Sequence, residues 1–290
     1  MNDPIRTRKQ PKPRDYPELP EPLSVGTYDN HTHLEIADSD NPLGVEQHIE
    51  LMKKAGMLGA VQVGVTLESS HWSAEVATQY DELLAAVALH PNEAPLYETT
   101  EKLEQAVSEI AELATQHRVR AIGETGLDFF RTEGDENIQL QQQSFDWHIE
   151  IAKQNNIAMQ IHDRDAHSQV VSTLRRVGAP ERTVFHCYSG DVELARICNE
   201  NGWYMSFAGN VSFKKNTHLQ ESFLVADPSL VLIETDAPFL APEPIRGRPN
   251  APYLVPHTLR YLASIAEVDV SELAEKINQN TVGVYGSWGD

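Results

Sequence analysis

His31, His33, Glu124, His162, His186 and Asp236 are the residues of this 290-residue chain best suited to hold divalent cations. Neutral imidazoles and ionised carboxylates donate lone pairs, and a carboxylate can bridge two ions. Each stands where a short apolar run ends. His31 and His33 alternate within DNHTHL, so on an extended segment they project to the same side and can reach one ion. A lone His-x-His is as well explained by a pair of packed core histidines. The same ligand types at the same end of several separate runs are not explained that way. His90, in ALHP, ends the third run. It is expected to reach the same place and to hydrogen-bond substrate or water, the alternative being a satisfied structural histidine. The other histidines fall in helical or loop patterns, where surface or packing roles are the default. Cys187 follows His186 and is expected to face the other way and pack.

The elements that must position these groups are legible as a rhythm. Apolar runs at 27–30, 60–65, 83–89, 119–123, 157–161, 183–185, 203–207 and 230–234 read as strands. Helical spacing fills 45–55, 101–116, 138–154, 166–176, 192–199 and a C-terminal pair from about 256 and 270, with 213–225 less regular. Eight strand–helix units predict an α/β fold, a single TIM-like (β/α)8 barrel spanning residues 25–290. In such a barrel all strand ends of one polarity share a face, so the metal site is expected at the C-terminal face of the strands. Residues 1–24, rich in Pro and basic residues, are expected to be a disordered tail. Its Arg6, Arg8, Lys9, Lys12 and Arg14 offer phosphate contact as an alternative. The loop 237–256 is long and Pro-rich, as functional loops often are.

Composition narrows the partners. With 23 basic and 43 acidic residues the formal charge is −20, which opposes non-specific attraction to nucleic acid or anionic membrane. An anionic substrate must therefore be met by local donors. Arg164, Arg246 and Arg248 are the best candidates, with Lys214 and Lys215 more simply read as solvated surface. Phe129, Phe130 and Tyr188 are placed either to stack on bases or to line the mouth. No apolar run approaches the ~18 residues of a membrane span. Two cysteines, Cys187 and Cys198, make no disulfide framework. A cytoplasmic protein with no membrane association and no obligate protein partner is the expectation. Glu234, two residues before Asp236, is placed to orient a ligating histidine, and Gly123 and Gly126 to permit turns around Glu124.

The segments DNHTHL, ALHP, AIGETGLDFF, QIHDRDA, FHCYSG, ETDAPFL and RGRPNAP, in this order over about residues 26–285, resemble the TatD family of metal-dependent deoxyribonucleases within the barrel metal-hydrolase superfamily. The resemblance implies one ion on His31, His33 and Asp236, a second on His162 and His186, and Glu124 between them. It thus implies one or two divalent ions per chain, Mg2+, Mn2+ or Zn2+. Asp236, Glu124 and His90 become the catalytic candidates, with Asp236 also able to accept a proton from water acidified by the ions. DNA, single-stranded at its ends, is the implied substrate of an exonuclease-type reaction. One alternative is a hydrolase of an ester, amide or lactone, such as an aminoacyl-tRNA deacylase. Another is a non-catalytic, metal-bound partner protein, which the complete ligand set argues against.

Overall fold

Alternating apolar residues in the runs, and apolar stripes between them, produce alternating strands and helices. The computed structural model describes Arg6, Thr7 and residues 15–289. Its main sheet has eight strands, paired in sequence order and all parallel. They are β1 (Thr27–Thr32), β2 (Met57–Val63), β3 (Leu83–Val87), β4 (Val119–Asp128), β5 (Ala158–Arg164), β6 (Thr183–Phe185), β7 (Tyr204–Phe207) and β8 (Val231–Ile233). Between β8 and β1 the barrel is joined by a parallel bridge at Thr32 and Ala237, with Asp236 N donating to His31 O at 3.0 Å and His33 N to Ala237 O at 2.8 Å. The helices are α1 (Val45–Ala55), α2 (Leu67–Val76), α3 (Thr100–Leu113), α4 (Asp135–Asn155), α5 (His167–Val177), α6 (Val192–Asn201), α7 (Thr217–Val225), α8 (Val255–Ala266) and α9 (Val270–Tyr285).

The strand alternation divides the core in two. Leu83, Ala85 and Val87 of β3 face the helices, while Leu84 and Ala86 face the barrel axis beside Val61, Val63, Ala121, Ala158 and Val184. The axis residues are small or branched, so eight strands can close around them. At the N-terminal end of the strands the barrel is plugged by Val284, Tyr285 and Trp288, with Trp288 stacked on Tyr28 at 4.2 Å between centroids.

Helix α2 is absent from the sequence reading. Its buried side carries Ser69, Ser70 and Ser73 beside Ala74 and Val76, so the apolar stripe that announces a helix is missing. The serines are satisfied instead: Ser70 Oγ donates to Ala88 O at 2.9 Å and accepts from Ala88 N at 3.1 Å. The irregular stretch 213–225 resolves into α7 after a 3-10 turn, Gly209–Ser212.

The expected tail through residue 24 is corrected for residues 15–24, which lie on the barrel. Tyr253 Oη donates to Pro17 O at 2.6 Å, and Leu23 N donates to Ala55 O at 3.1 Å. Arg6 and Thr7 pair in parallel with Ile36 and Ala37. The rest of the expected disordered arm, residues 1–5 and 8–14, lies outside the described residues.

Candidate metal centre

Two β-bulges aim the ligands. Between Asp29 and Thr32, β1 carries one residue more than β2, and between Ile122 and Thr125, β4 carries one more than β5. A bulge bends a strand and redirects a side chain, and these two fall on His31 and Glu124. Glu124 was expected to close its strand and His162 to follow one. Both lie within strands, because β4 runs on to Asp128 and β5 to Arg164. Gly126 permits this, and not the turn expected of it: its φ is +139°, and a Cβ there would lie 2.1 Å from His162 O. At Gly123 a Cβ would meet Gln160 Cβ at 2.6 Å, so β4 and β5 approach closely where the ligands begin. Asp236 holds a left-handed φ of +52°, a region that Asp tolerates better than most side chains.

The six expected ligands converge around Glu124. Its Oε1 lies 2.6 Å from His162 Nδ1, 2.8 Å from His186 Nε2 and 3.4 Å from His90 Nε2. Its Oε2 lies 3.7 Å from both His31 Nε2 and His33 Nε2. Asp236 Oδ1 stands 3.6 Å from His33 Nε2 and 4.0 Å from His31 Nε2. One carboxylate thus faces two groups of donors, the arrangement of a bridging ligand. The His31 and His186 rings stack at 3.9 Å, which ties the two groups together.

The outward nitrogens decide what the inward ones can do. His33 Nδ1 lies 2.9 Å from Val63 O, and a carbonyl only accepts, so the proton is on Nδ1 and the lone pair on Nε2. His31 Nδ1 donates to Gln160 Oε1 at 2.8 Å, since Gln160 Nε2 is itself committed to Asn30 O. His186 Nδ1 donates to Glu234 Oε1 at 3.3 Å, and His162 Nε2 to Asp128 Oδ2 at 3.2 Å. His31 and His33 therefore turn lone pairs inward, while His162 and His186 lie between two carboxylates, Glu124 at 2.6 and 2.8 Å on the inner side, and would turn a lone pair inward where an ion stands between ring and Glu124. His31 Nε2 and His33 Nε2 lie 3.1 Å apart with both ring protons spent elsewhere. Such a cluster repels itself unless positive charge enters it, so the donor set fits divalent cations.

The protonation tendencies report the same demand for positive charge, which protons meet where no ion does. Burial disfavours charge on Glu124, but His186 and His90 overcome it and hold the carboxyl well below its usual range. Burial also opposes charge on His186, yet Glu124 and Glu234 push it well above an ordinary imidazole. His33 is treated likewise: against burial, Asp236, Glu35 and Glu124 push it up to about 9. His31 goes the other way, lowered by burial and by His186. Beneath it, burial lifts Asp29 to about 8, while Asp29 Oδ1 accepts from Thr235 N at 2.8 Å and joins β1 to the end of β8.

Several supporting groups escape a reading of the sequence. Gln160 sets the tautomer of His31 and Asp128 faces the outer nitrogen of His162, and Gln160 is the one polar residue in the apolar run 157–161 that precedes His162. That interruption was the available signal. Glu234 stands where expected, orienting His186 and also accepting from Cys187 N at 2.6 Å.

The substrate-side expectations divide. Arg164, the last residue of β5, lies with its guanidinium 4.0 Å over the Phe130 ring, which is 61% exposed. Arg246 lies 3.9 Å over Phe213. Lys214 and Lys215 are exposed beside that ring. Arg248 is corrected: its Nε and Nη2 donate to Asp15 O at 3.0 and 2.7 Å and Nη2 to Tyr16 O at 3.0 Å, which commits it to clamping the N-terminal segment. Tyr188 is 1% exposed, bonded through its hydroxyl to Asp191 O, and cannot stack on a base, while Phe129 packs partly buried on the core. Cys187 does not face away as expected. Past the end of β6 it takes a left-handed φ of +42°, and burial with the nearby Asp236, Glu234 and Glu124 pushes its thiol well up.

The chain matches the family model described as TatD related DNase over residues 28–286. It is 36% identical over 261 residues to the metal-dependent hydrolase TatD of Mycobacterium tuberculosis, covering 89% of this chain and 97% of that one. To the metal-dependent hydrolase YabD of Bacillus subtilis it is 34% identical over 259 residues, with 89% and 98% covered. Among solved structures it is similar to the TatD homologue YJJV of Escherichia coli K12, with a TM-score of 0.79 at 23% identity over 90% of this chain and 98% of that one. It is also similar to a TatD family hydrolase of Entamoeba histolytica, with a TM-score of 0.77 at 16% identity over 91% and 100%.

Proposed function

Because the chain belongs to the TatD family of metal-dependent hydrolases, we propose that it hydrolyses phosphodiester bonds in DNA, as an exonuclease-type deoxyribonuclease working on single-stranded ends. The observation that carries the reading is the paired donor set around Glu124, imidazole nitrogens on both sides of one buried carboxylate. His31, His33 and Asp236 would hold one ion, His162 and His186 another, and Glu124 both. Bound divalent ions, Mg2+, Mn2+ or Zn2+, supply Lewis acidity that acidifies water and offsets phosphoryl charge. Asp236 is the ligand carboxylate open to solvent, its side chain 14% exposed against 7% for Glu124, and it takes the proton of the attacking water.

Arg164 and Arg246 meet the phosphates that a chain of charge −20 otherwise repels. Each guanidinium rests over a phenylalanine ring, which restricts its rotamers before substrate arrives. The exposed face of Phe130 offers an unpaired base a stacking surface.

The test is metal-stripped protein re-supplied separately with Mg2+, Mn2+ and Zn2+ and given single-stranded oligonucleotides labelled at either end. Metal-dependent shortening is expected, falling as salt screens the phosphate contacts, and reduced by about 10²–10⁴ in Asp236→Asn. An intact oligonucleotide at verified metal loading would overturn the DNA reading, and cleavage of aminoacyl-tRNA or lactones under those conditions would replace it with acyl hydrolysis.

A further inference from the structure

His90 stands among the metal-ligating groups, its Nε2 3.4 Å from Glu124 Oε1 and 3.3 Å from His162 Nδ1. By distance alone it belongs with His162 and Glu124 as a ligand. Its other nitrogen says otherwise. Asn92 N lies 3.0 Å from His90 Nδ1, and a main-chain N–H can only donate, so Nδ1 carries the lone pair. In the neutral ring the proton is then on Nε2, pointing inward. This is the reverse of His31 and His33, each of which spends its proton outward on an oxygen.

We infer that His90 is not a metal ligand but a fixed hydrogen-bond donor to an anionic oxygen of the substrate, held in its Nε2–H form by the turn His90–Pro91–Asn92.

The turn is built for that purpose from the main chain outward. Pro91 has no N–H, so the next donor available to His90 Nδ1 is that of Asn92. His90 N is tied to Val65 O at 2.9 Å, and His90 O accepts from Glu93 N at 2.8 Å. Asn92 is anchored by its side chain, which donates through Nδ2 to Asp128 Oδ2 at 3.0 Å and accepts through Oδ1 from Thr132 Oγ1 at 3.1 Å. Asp128 Oδ2 is the same atom that accepts from His162 Nε2. One carboxylate oxygen thus serves two neighbouring imidazoles: directly, it faces the outer nitrogen of His162, and through Asn92 it leaves His90 with its proton inward. That N–H faces Glu124 Oε1 at 3.4 Å and His162 Nδ1 at 3.3 Å, atoms that bound ions would claim, which leaves it to bind an oxygen whose negative charge grows as the bond breaks. Removing one such preorganised donor costs about 10²–10³ in turnover.

The inference rests on the phosphodiester reading for the identity of the oxygen, and the experiment separates the two. Metal content per chain and the affinity for inorganic phosphate are measured for wild type, His90→Ala, His90→Gln and His162→Ala. His90→Ala is expected to retain wild-type metal content while phosphate affinity falls about tenfold, whereas His162→Ala loses metal. On DNA, kcat of His90→Ala is expected to fall about 10²–10³ with KM within a few-fold, and His90→Gln, whose amide N–H replaces the donor, to recover part of it. In 15N-histidine-labelled wild type, the resonance assigned to His90 by its disappearance in His90→Gln is expected to show the proton on Nε2. Loss of a metal equivalent in His90→Ala, or a His90 spectrum with the proton on Nδ1, would overturn the inference. An absence of DNA cleavage by wild type with the metal, phosphate and NMR results as expected would overturn only the substrate.

Discussion

On one side of Glu124, His31 and His33 hand their outer protons to neutral acceptors, the Gln160 side-chain carbonyl and the Val63 main-chain carbonyl. On the other, His162 and His186 hand theirs to the carboxylates of Asp128 and Glu234. An imidazole backed by a carboxylate is more basic and grips a cation harder than one backed by an amide. The first side makes up the difference with Asp236, a carboxylate in the cluster itself. Beyond Glu124, which both sides share, negative charge would reach an ion on the first side directly and one on the second through imidazole rings. In the proposed reaction Asp236 also takes the proton, so the two sides would divide holding from reacting.

Glu124→Gln tests whether the two sides are one centre. Both should empty together, with metal content falling to near zero and turnover dropping by about 10³ or more. A full equivalent retained at wild-type affinity would show that the sides are independent.

Acid should separate histidines that have carboxylate partners from those that do not. Burial lowers His48 to about 4, and it lowers His148 to about 4 against a bond that His148 donates to the Ser144 main chain, so both are neutral in the fold. Their stabilising contribution is complete above the unfolded pKa near 6.5 and is lost as pH falls from there through about 4, at about 3 kcal/mol each. Urea midpoints of the metal-stripped protein at pH 7.5 and 4.5 should show His48→Leu with a smaller acid loss than wild type. An identical loss in both would mean that His48 takes up its proton without cost in the fold.

The smallest effect is the most direct on the comparison. Asp128→Asn should weaken metal binding on its side about tenfold to a hundredfold, and Gln160→Leu should cost less, about tenfold at most. Competition with a chelator ranks them, and the reverse order would remove the distinction between carboxylate and amide backing.

The ligands could be read before the fold because their chemistry is confined to few residue types and their spacing repeats with the strands. What positions them was less legible. Asp128 and Gln160 are common polar residues whose roles appear only when β4 and β5 are paired, and Asn92 acts through its backbone, which no side-chain pattern reports. Helix α2 was hidden because its buried side is hydroxylic. Arg248 looked like a phosphate contact because its partners, the carbonyls of residues 15 and 16, are distant in sequence and chemically anonymous. The bulges at His31 and Glu124 are properties of strand pairs, not of either strand.

The plug that closes the barrel reaches further than packing. Tyr285 Oη accepts from Gln160 Nε2 at 2.8 Å, and the same amide fixes the His31 ring through Oε1. A chain emerges from the ribosome N-terminus first, so the His31 ring is oriented through a residue made long after it. No nascent fragment short of Tyr285 holds the full set of contacts, so the support beneath His31 is complete only once the barrel has been plugged.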